Sequence, residues 1–218
     1  MAILLIEMRI RTPVKIIGVS SIIVIFFCFL NKKDEIIINQ SDGELIEDFD
    51  LILTKGQSVE SKLINLLNLS IKQDYTHIGL VHKEKDKIYI LHATPDGTKE
   101  NCIRYDEFQT FIDLSAVCDY RIMRDKNMTN GVRQLLNIEL EKYKNSKIPF
   151  DFEFDNQEHS HIYCSELVYL MFTKVGLFGT KSFDLKKPID PNVFLYQKEL
   201  ISITERESTT NKYIAAGQ

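Results

Sequence analysis

The chain has 218 residues, of which 44% are hydrophobic and 27% are charged, and its formal net charge is −4. This length and composition allow a sizeable buried core without disulfides. The weak net charge and the lack of a basic cluster with interleaved aromatic residues argue against a nucleic-acid partner. The cysteines Cys28, Cys102, Cys118 and Cys164 match the spacing of neither a zinc ribbon nor a disulfide framework. We therefore expect unpaired thiols, with a Cys102–Cys118 pair as the alternative outside the cytoplasm.

An apolar, uncharged run of fifteen residues, Ile16–Leu30, follows the basic residues Arg9, Arg11 and Lys15. Such a run resembles a signal sequence, and it is shorter than the roughly 20 residues that comfortably span a bilayer. No small-residue cleavage site follows it, so residues 1–40 are interpreted as a signal peptide or an uncleaved membrane anchor. The excess of basic residues before the run favours a domain exported to the cell envelope. Burial of the run in the core of the domain is the alternative.

The folded domain is predicted to span residues 45–204, and residues 205–218 are predicted to form a polar tail. Its first strand covers about Asp50 to Thr54. A helix with Ser58 as N-cap is predicted to follow and to continue to Leu67.

Two β-rich runs, Tyr75–Val81 and Lys87–Ala93, predict a hairpin in which each strand carries a histidine. With a two-residue loop at Glu84–Lys85, His77 is directly opposite His92. With a four-residue loop, His92 lies one diagonal away on the same face. Either register brings the two imidazoles close together. The alternative is that His92 merely ends its strand as a satisfied polar side chain.

Further strands are predicted at Cys102–Tyr105 and Ala116–Met123, with a short helix at Tyr105–Phe111 between them. Apolar residues of helical period then predict a helix from Asn130 to Lys144. We expect this helix to pack on the sheet away from the active site.

The segment Tyr163–Tyr169, with the sequence YCSELVY, predicts a cysteine in the first turn of a buried helix. Counted from Cys164, apolar residues recur with helical period at Leu167, Val168, Met171, Phe172 and Val175. A thiol at this place lies among unpaired backbone N–H groups at the positive end of the helix dipole, which favours the thiolate. The alternative is a structural cysteine, because free cysteine is among the most buried residue types.

Together these elements predict a cysteine hydrolase that forms a covalent acyl-enzyme. Cys164 is the predicted nucleophile, and its backbone N–H is a predicted oxyanion donor. His77 is the predicted general base and acid. His92 is the predicted third group, which orients His77 and selects its tautomer.

The order of a histidine strand, a polar residue on the next strand and a late Cys-Ser-Glu-Leu-Val helix resembles the YiiX-like, circularly permuted NlpC-type papain-fold cysteine hydrolases. The segments that carry this resemblance are Phe49–Gly56, Tyr75–Gly79 and Tyr163–Leu167. The resemblance covers roughly residues 45–200. It implies an α+β fold in which an antiparallel sheet or partial barrel packs against helices that include the nucleophile helix, and it implies the same three catalytic residues.

The chain departs from the pattern of this family at two positions. Members often have Glu where this chain has His92, and His92 looks more like the non-permuted NlpC pattern. Members commonly have Gly where this chain has Phe49, so the turn before the first strand is expected to differ.

Phenylalanine and acidic residues alternate in Pro149–Asp155, which resembles an aromatic-acidic loop of the family. As a wall of the cleft, this segment would offer Asp151 or Asp155 to a polar substrate group, and an ordinary edge strand is the alternative. Tyr75 is a candidate to place its hydroxyl near the reacting carbonyl, with a strand-end aromatic as the alternative. Tyr163 is a further candidate substrate-binding residue.

Two other functions compete for the same residues. His159, His161 and Cys164 form an H-x-H-x-x-C pattern that, together with His77, offers four zinc ligands. Histidines two residues apart point to opposite sides of an extended segment, so we expect no metal and no cofactor. A non-catalytic binding module is the other alternative, because a fold does not determine an activity.

The resemblance leaves the substrate open between two classes. NlpC-like relatives cleave peptide bonds in cell-wall peptides, and other permuted members act on lipid acyl amides or esters. Export would bring a wall peptide within reach, so amide hydrolysis at the cell envelope is predicted. The alternative is a lipid hydrolase or acyltransferase attached to the membrane through residues 16–30.

Overall fold

The computed structural model describes residues 40–56, 75–179 and 183–204, and a six-stranded antiparallel sheet is the centre of this described part. The strands are β1 Leu51–Gly56, β2 His77–Glu84, β3 Lys87–Thr98, β4 Asn101–Glu107, β5 Val117–Asp125 and β6 Leu200–Thr204. Their spatial order is β4-β3-β2-β1-β5-β6, so the histidine strand β2 lies in the interior of the sheet. The predicted α+β class is confirmed.

Helices cover both faces of this sheet. Within the described part they are α1 Gln40–Leu45, α2 Phe108–Leu114, α3 Asn130–Lys144, α4 Cys164–Lys174 and a 3-10 helix, Pro191–Tyr196. None of these helices has both the length and the apolar character to cross a membrane. The predicted N-terminal signal or anchor, the helix from Ser58 to Leu67 and the tail of residues 205–218 lie outside the described residues.

Local signals predict one of the two middle helices correctly. The helix predicted from Asn130 to Lys144 is confirmed with the same bounds, and the side chain of Thr129 caps its start. The short helix predicted from Tyr105 to Phe111 is wrong in its bounds. Strand β4 stays paired with β3 as far as Glu107, so helix α2 begins only at Phe108.

Each face of the sheet carries its own apolar core, because successive side chains of a strand point to opposite sides. One face packs against α3 and α4. Its strand residues include Leu51, Leu53, Ile78, Leu80, Leu91 and Ala93. The other face packs against α2. Its strand residues include Ile52, Val81, Ile90 and Ile122.

The hairpin of β2 and β3 has a two-residue turn at Lys85–Asp86, where Lys85 adopts a φ of 56°. This turn lies one residue later than the two-residue loop considered from the sequence. Leu80 therefore pairs with Leu91. Continued along the strands, this register sets Gly79 opposite His92, with the histidine of β2 one diagonal away. Of the two arrangements expected from the sequence, the structure has the one in which His92 lies one diagonal away from His77.

Gly79 permits the close approach of β3 at this point. A Cβ atom on Gly79 would lie 2.5 Å from Cγ2 of Ile90 and 3.3 Å from Cβ of His92. Real Cβ atoms essentially never come as near as the first of these distances. The absent side chain therefore makes room for the β3 residues that flank the site.

The turn before β1 keeps a backbone conformation that favours glycine. Phe49 has a φ of 65°, which is uncommon for a bulky residue. Its ring is fully buried, and its N–H donates to the Val81 carbonyl at 2.8 Å. The next residue, Asp50, binds the guanidinium of Arg124 through both carboxylate oxygens. Burial of the ring and these contacts offset the backbone strain at Phe49.

We expect Gly79→Ala to lower the free energy of unfolding by about 1–3 kcal/mol, because the added methyl overpacks the β2–β3 contact. The matched control is Gly131→Ala in α3, where the nearest atom lies 3.9 Å from the new Cβ. Removing a glycine from an open helical position stabilises by up to about 1 kcal/mol. Urea unfolding of both variants measures the effects, and equal stability of Gly79→Ala and the wild type would contradict the packing argument.

Candidate active site

The two histidines predicted for the site are in direct contact. Nε2 of His77 lies 3.0 Å from Nδ1 of His92, and the two rings meet edge to face with centroids 5.1 Å apart. Their strands are neighbours in the sheet, and the observed register brings them to the same face. The predicted proximity of the two imidazoles is thus observed.

A carboxylate that the sequence analysis missed continues this contact. Nε2 of His92 lies 3.0 Å from Oδ2 of Asp106, and Arg104 donates to both oxygens of the same carboxylate at 2.7 and 2.9 Å. Both residues lie on β4, where Arg104 pairs with His92. Their i, i+2 spacing on a strand was the available signal, because it puts them on one face. The pairing of β3 with β4 could not be read from the sequence, since its register shifts between Ala93 and Thr98.

Phe111 of α2 covers both imidazoles. Its ring centroid lies 5.7 Å from that of His77 and 4.9 Å from that of His92. Burial lowers the pKa of His77 well below its ordinary value of 6.5, and the neighbouring His92 lowers it further. At neutral pH, His77 is therefore a neutral imidazole that can accept a proton.

Cys164 is the first residue of α4, and its N-cap Tyr163 has extended backbone angles. The thiol is nearly sealed, with 3% of the residue exposed. Burial raises the pKa of the Cys164 thiol, although the backbone N–H of Ile78, the Ser165 hydroxyl and the N–H groups of the helix start lower it in part. The N–H groups of the helix start thus favour the thiolate, as expected, but desolvation outweighs them and the net pKa of the thiol is raised.

The sulfur lies at the end of the paired region of β2 and β3. The C=O of Val81 accepts from the N–H of Phe49 and its N–H donates to the C=O of Asp50, just before β1, so by alternation the N–H of Ile78 points toward β3. The β2–β3 pairing stops at Leu80 with Leu91, and beyond it the N–H of Ile78 lies close enough to the Cys164 sulfur to lower the pKa of the thiol. The sulfur is therefore beside the residue that directly follows His77 in the chain.

The Cys164 thiol and the two imidazoles lie toward different faces of the sheet. Cys164 belongs to the core on the α4 face, whereas His77 and His92 pack against Phe111 on the α2 face. Among the hydrogen bonds of the described residues, none joins the Cys164 sulfur to either imidazole. The structure thus brings the two histidines together and places the sulfur next to their strand end.

Both predicted substrate-binding tyrosines are buried. The hydroxyl of Tyr163 donates to Asn156 and accepts from the backbone N–H of Ile189 at 2.8 Å. The backbone N–H and C=O of Tyr75 are both bonded to the side chain of Asn192. These contacts hold the loops around the start of α4, and a direct role in binding substrate stays a prediction.

The aromatic-acidic segment is an irregular loop rather than an edge strand. The two carboxylate oxygens of Asp151 accept from the backbone N–H groups of Glu153 and Asp155, at 2.8 and 2.6 Å. Asp151 is thereby committed to closing the loop, whereas Asp155 is exposed. The substrate-binding roles predicted for both aspartates stay predictions.

Glu166 of α4 is a second ionisable group that the sequence analysis did not assign. It is 0% exposed, its Oε1 lies 2.7 Å from Nδ1 of His159, and its Oε2 has no hydrogen-bond partner. Burial raises the pKa of Glu166 to about 7, although His159 opposes the shift. In the described part of the chain, no group of three or more His, Cys, Asp or Glu residues is arranged to hold a metal ion.

Residues 46–211 match the sequence model of a family described as permuted papain-like amidase enzymes, YaeF/YiiX, C92 family. The chain is also similar to the crystal structure of YiiX from Escherichia coli O157:H7, described as a metalloprotein. The TM-score is 0.58 at 20% sequence identity, over 73% of this chain and 97% of that chain. This likeness carries the fold alone, and the predicted permuted papain-like fold is confirmed. No curated protein matches the chain.

We expect the stability of the protein to fall as the pH rises through about 7, because Glu166 binds its proton more tightly in the folded chain. Its contribution is complete below the ordinary pKa of 4.5 and is lost as the pH rises through the folded value. Glu166→Gln should flatten this dependence and raise the free energy of unfolding at pH 8 by a few kcal/mol. Urea unfolding at several pH values measures it, with the exposed Glu153→Gln as control. The same slope in wild type and Glu166→Gln would contradict the assignment.

Proposed function

The chain belongs to the permuted papain-like amidase family of YaeF and YiiX, and we propose that its cysteine hydrolase activity proceeds through an acyl-enzyme on Cys164. The observation that carries this proposal is the position of the Cys164 sulfur. It lies at the start of a helix, where backbone N–H groups are unpaired, and beside the peptide that joins His77 to Ile78. The proposed nucleophile thus lies beside the residue that follows the proposed base, although 87 positions separate Cys164 from His77 in the sequence.

The proposed reaction begins with two neutral groups. His77 takes the proton from the Cys164 thiol as the sulfur attacks the carbonyl carbon, and the backbone N–H of Cys164 donates to the developing oxyanion. The C–N bond then breaks, and His77 returns the proton to the departing amine. Water, deprotonated by the same imidazole, attacks the thioester carbon and releases the acid and the free thiol. His77 meets the sulfur at the open end of the β2–β3 pairing when substrate is bound, since catalytic hydrogen bonds often close only in the complex.

His92 is proposed as the third catalytic group. Its contact with His77 limits the rotation of the neighbouring imidazole and directs which ring nitrogen carries the proton. Because it acts through His77, its removal should cost less activity than the removal of His77 itself.

For the substrate, we favour an amide bond in a cell-envelope peptide. Support comes from the basic and then apolar N-terminal sequence, which is typical of an exported or membrane-anchored protein. Localisation at the envelope, through a signal or an anchor in residues 1–40, is part of the same proposal.

A lipid acyl amide or ester is the second candidate substrate. Phe152 is 62% exposed, and its ring meets that of Phe150 edge to face, with centroids 5.0 Å apart. The ring of Phe154 also meets that of Phe150 edge to face, with centroids 6.2 Å apart. This aromatic cluster precedes the cysteine helix in the chain, and its exposed ring favours contact with an acyl chain.

We expect Cys164→Ala to abolish turnover, a loss of at least about 10⁴-fold in kcat/KM, and to fold nearly as the wild type. His77→Ala should lower kcat/KM by about 10²–10⁴-fold, and His92→Ala by less. The assay is a panel of wall-peptide fragments and acylated lipids, offered to the wild type and to each variant. Hydrolysis by Cys164→Ala above the uncatalysed rate would defeat the nucleophile assignment, and equal losses for the two histidines would reverse their ranking.

The pH dependence of kcat/KM provides a separate test. His77 accepts the thiol proton only when it is neutral, and its lowered pKa keeps it neutral as the pH falls through 6.5. The acid limb should therefore have its midpoint below pH 6.5. Phe111→Leu, which exposes the imidazoles to more water, should move the midpoint upward. A wild-type midpoint at or above 6.5 would show that burial does not control this base.

A further inference from the structure

We propose that Asp106, held by Arg104, is a positioning residue that selects the tautomers of both histidines and so leaves Nδ1 of His77 free to accept the thiol proton. This inference rests on the proposed function, since it concerns how His77 is prepared as the base. Its observations are the consecutive contacts His77 to His92 and His92 to Asp106, each 3.0 Å long.

The first step starts from the carboxylate. Arg104 donates to both oxygens of Asp106, which keeps this side chain charged and in one orientation. Partial burial raises the pKa of Asp106, but the hydrogen bonds from His92 and Arg104 bring it down to about 2. An ionised carboxylate can only accept hydrogen bonds. Nε2 of His92 must therefore carry a proton and donate it toward Oδ2.

The second step follows from the chemistry of a neutral imidazole, in which one nitrogen donates and the other accepts. Here His92 is taken as neutral, with its one proton on Nε2, so its Nδ1 is an acceptor. Nε2 of His77 lies 3.0 Å from that nitrogen and must supply the hydrogen. A cationic His92 would instead donate from Nδ1 to His77, and the ¹⁵N shifts of its ring distinguish the two states. Burial keeps His77 neutral, so its own Nδ1 carries no proton. One carboxylate thus determines the tautomers of two consecutive rings.

The third step concerns the charge that develops during reaction. When His77 accepts the thiol proton on Nδ1, it becomes an imidazolium that still donates from Nε2 to His92. The donor order continues to Asp106, whose negative charge stabilises the cation through the intervening ring. Without Asp106, His92 could hold its proton on Nδ1, which would turn Nε2 of His77 into an acceptor. His77 would then hold its proton on Nδ1 and would lose the ability to take one from sulfur.

Asp106→Asn is the direct test, because the amide can donate to Nε2 of His92 and so reverse the donor order. The first readout is the ¹⁵N chemical shifts of the histidine rings in labelled protein, which report the tautomer of each ring without substrate. In the wild type, His77 and His92 should both carry the proton on Nε2. In Asp106→Asn, both should move toward the Nδ1–H form. Asp113→Asn, an exposed aspartate of α2, is the matched control and should leave both rings unchanged.

The second readout is the alkylation of Cys164 by iodoacetamide, followed by mass mapping, because the exposed Cys118 reacts with the same reagent whereas Cys164 is buried. In Ser-His-Asp triads, replacing the carboxylate that orients the catalytic imidazole by an amide lowers kcat by about 10⁴-fold. We expect Asp106→Asn to slow alkylation at least about 10-fold, and Asp106→Glu to recover part of the rate because it restores a carboxylate. Asp113→Asn should react like the wild type.

The outcomes separate this inference from the proposed function. If neutral His77 in the wild type carries its proton on Nδ1, or if Asp106→Asn changes neither tautomers nor alkylation, the inference is overturned. The wild-type measurement decides this even if Asp106→Asn fails to fold. If the tautomers agree but Cys164→Ala retains hydrolysis, the positioning by Asp106 stands and the nucleophile assignment fails.

Discussion

The pairing of Leu80 with Leu91 is the contact on which the candidate site depends. This pairing sets Gly79 against β3 and brings the two imidazoles together on one face of the sheet. The paired region of β2 and β3 ends at Leu80 and Leu91, near Cys164 at the start of α4. A slip of one residue would turn every side chain of β2 to the opposite face and separate His77 from His92. The two-residue turn at Lys85–Asp86 and the apolar alternation on both faces hold the strands in this register.

Burial is the second influence on the site, and it acts on both reacting groups in the same direction. The pKa of the Cys164 thiol is raised and the pKa of His77 is lowered, so the uncharged pair is favoured in the resting protein. Charge separation then takes place only when the reaction needs it. Phe111 and the α4 core exclude the water that would otherwise stabilise a resting ion pair. The charged groups Asp106 and Arg104 lie farther along the same row of side chains.

Two positions show how tertiary contacts support unusual local choices. Phe49 keeps a left-handed backbone conformation, and it offsets the strain with a fully buried ring. His92 contributes a ring that can both accept and donate a hydrogen bond. This property lets a carboxylate on a third strand, Asp106, act on His77 at a distance.

Much of this molecule was readable from local patterns. The apolar period predicted helix α3 to the residue, and the YCSELVY segment predicted a cysteine at a helix start. Motif order was enough to predict the permuted papain-like family and the α+β class. These features depend on residues close together in sequence, for which propensity and spacing are direct physical signals.

Only the tertiary structure decided the pKa of the Cys164 thiol and the partners of the site residues. Helix position predicted a thiolate at Cys164, but burial against the core raised its pKa instead, because desolvation depends on residues distant in sequence. The contact of Asp106 with His92 requires the β3–β4 register, which an irregular segment makes unreadable from spacing. The same holds for the sulfur beside Ile78, since this residue lies beyond the end of the β2–β3 pairing. Sequence thus determined the chemical groups and their elements, and long-range packing decided their protonation and their partners.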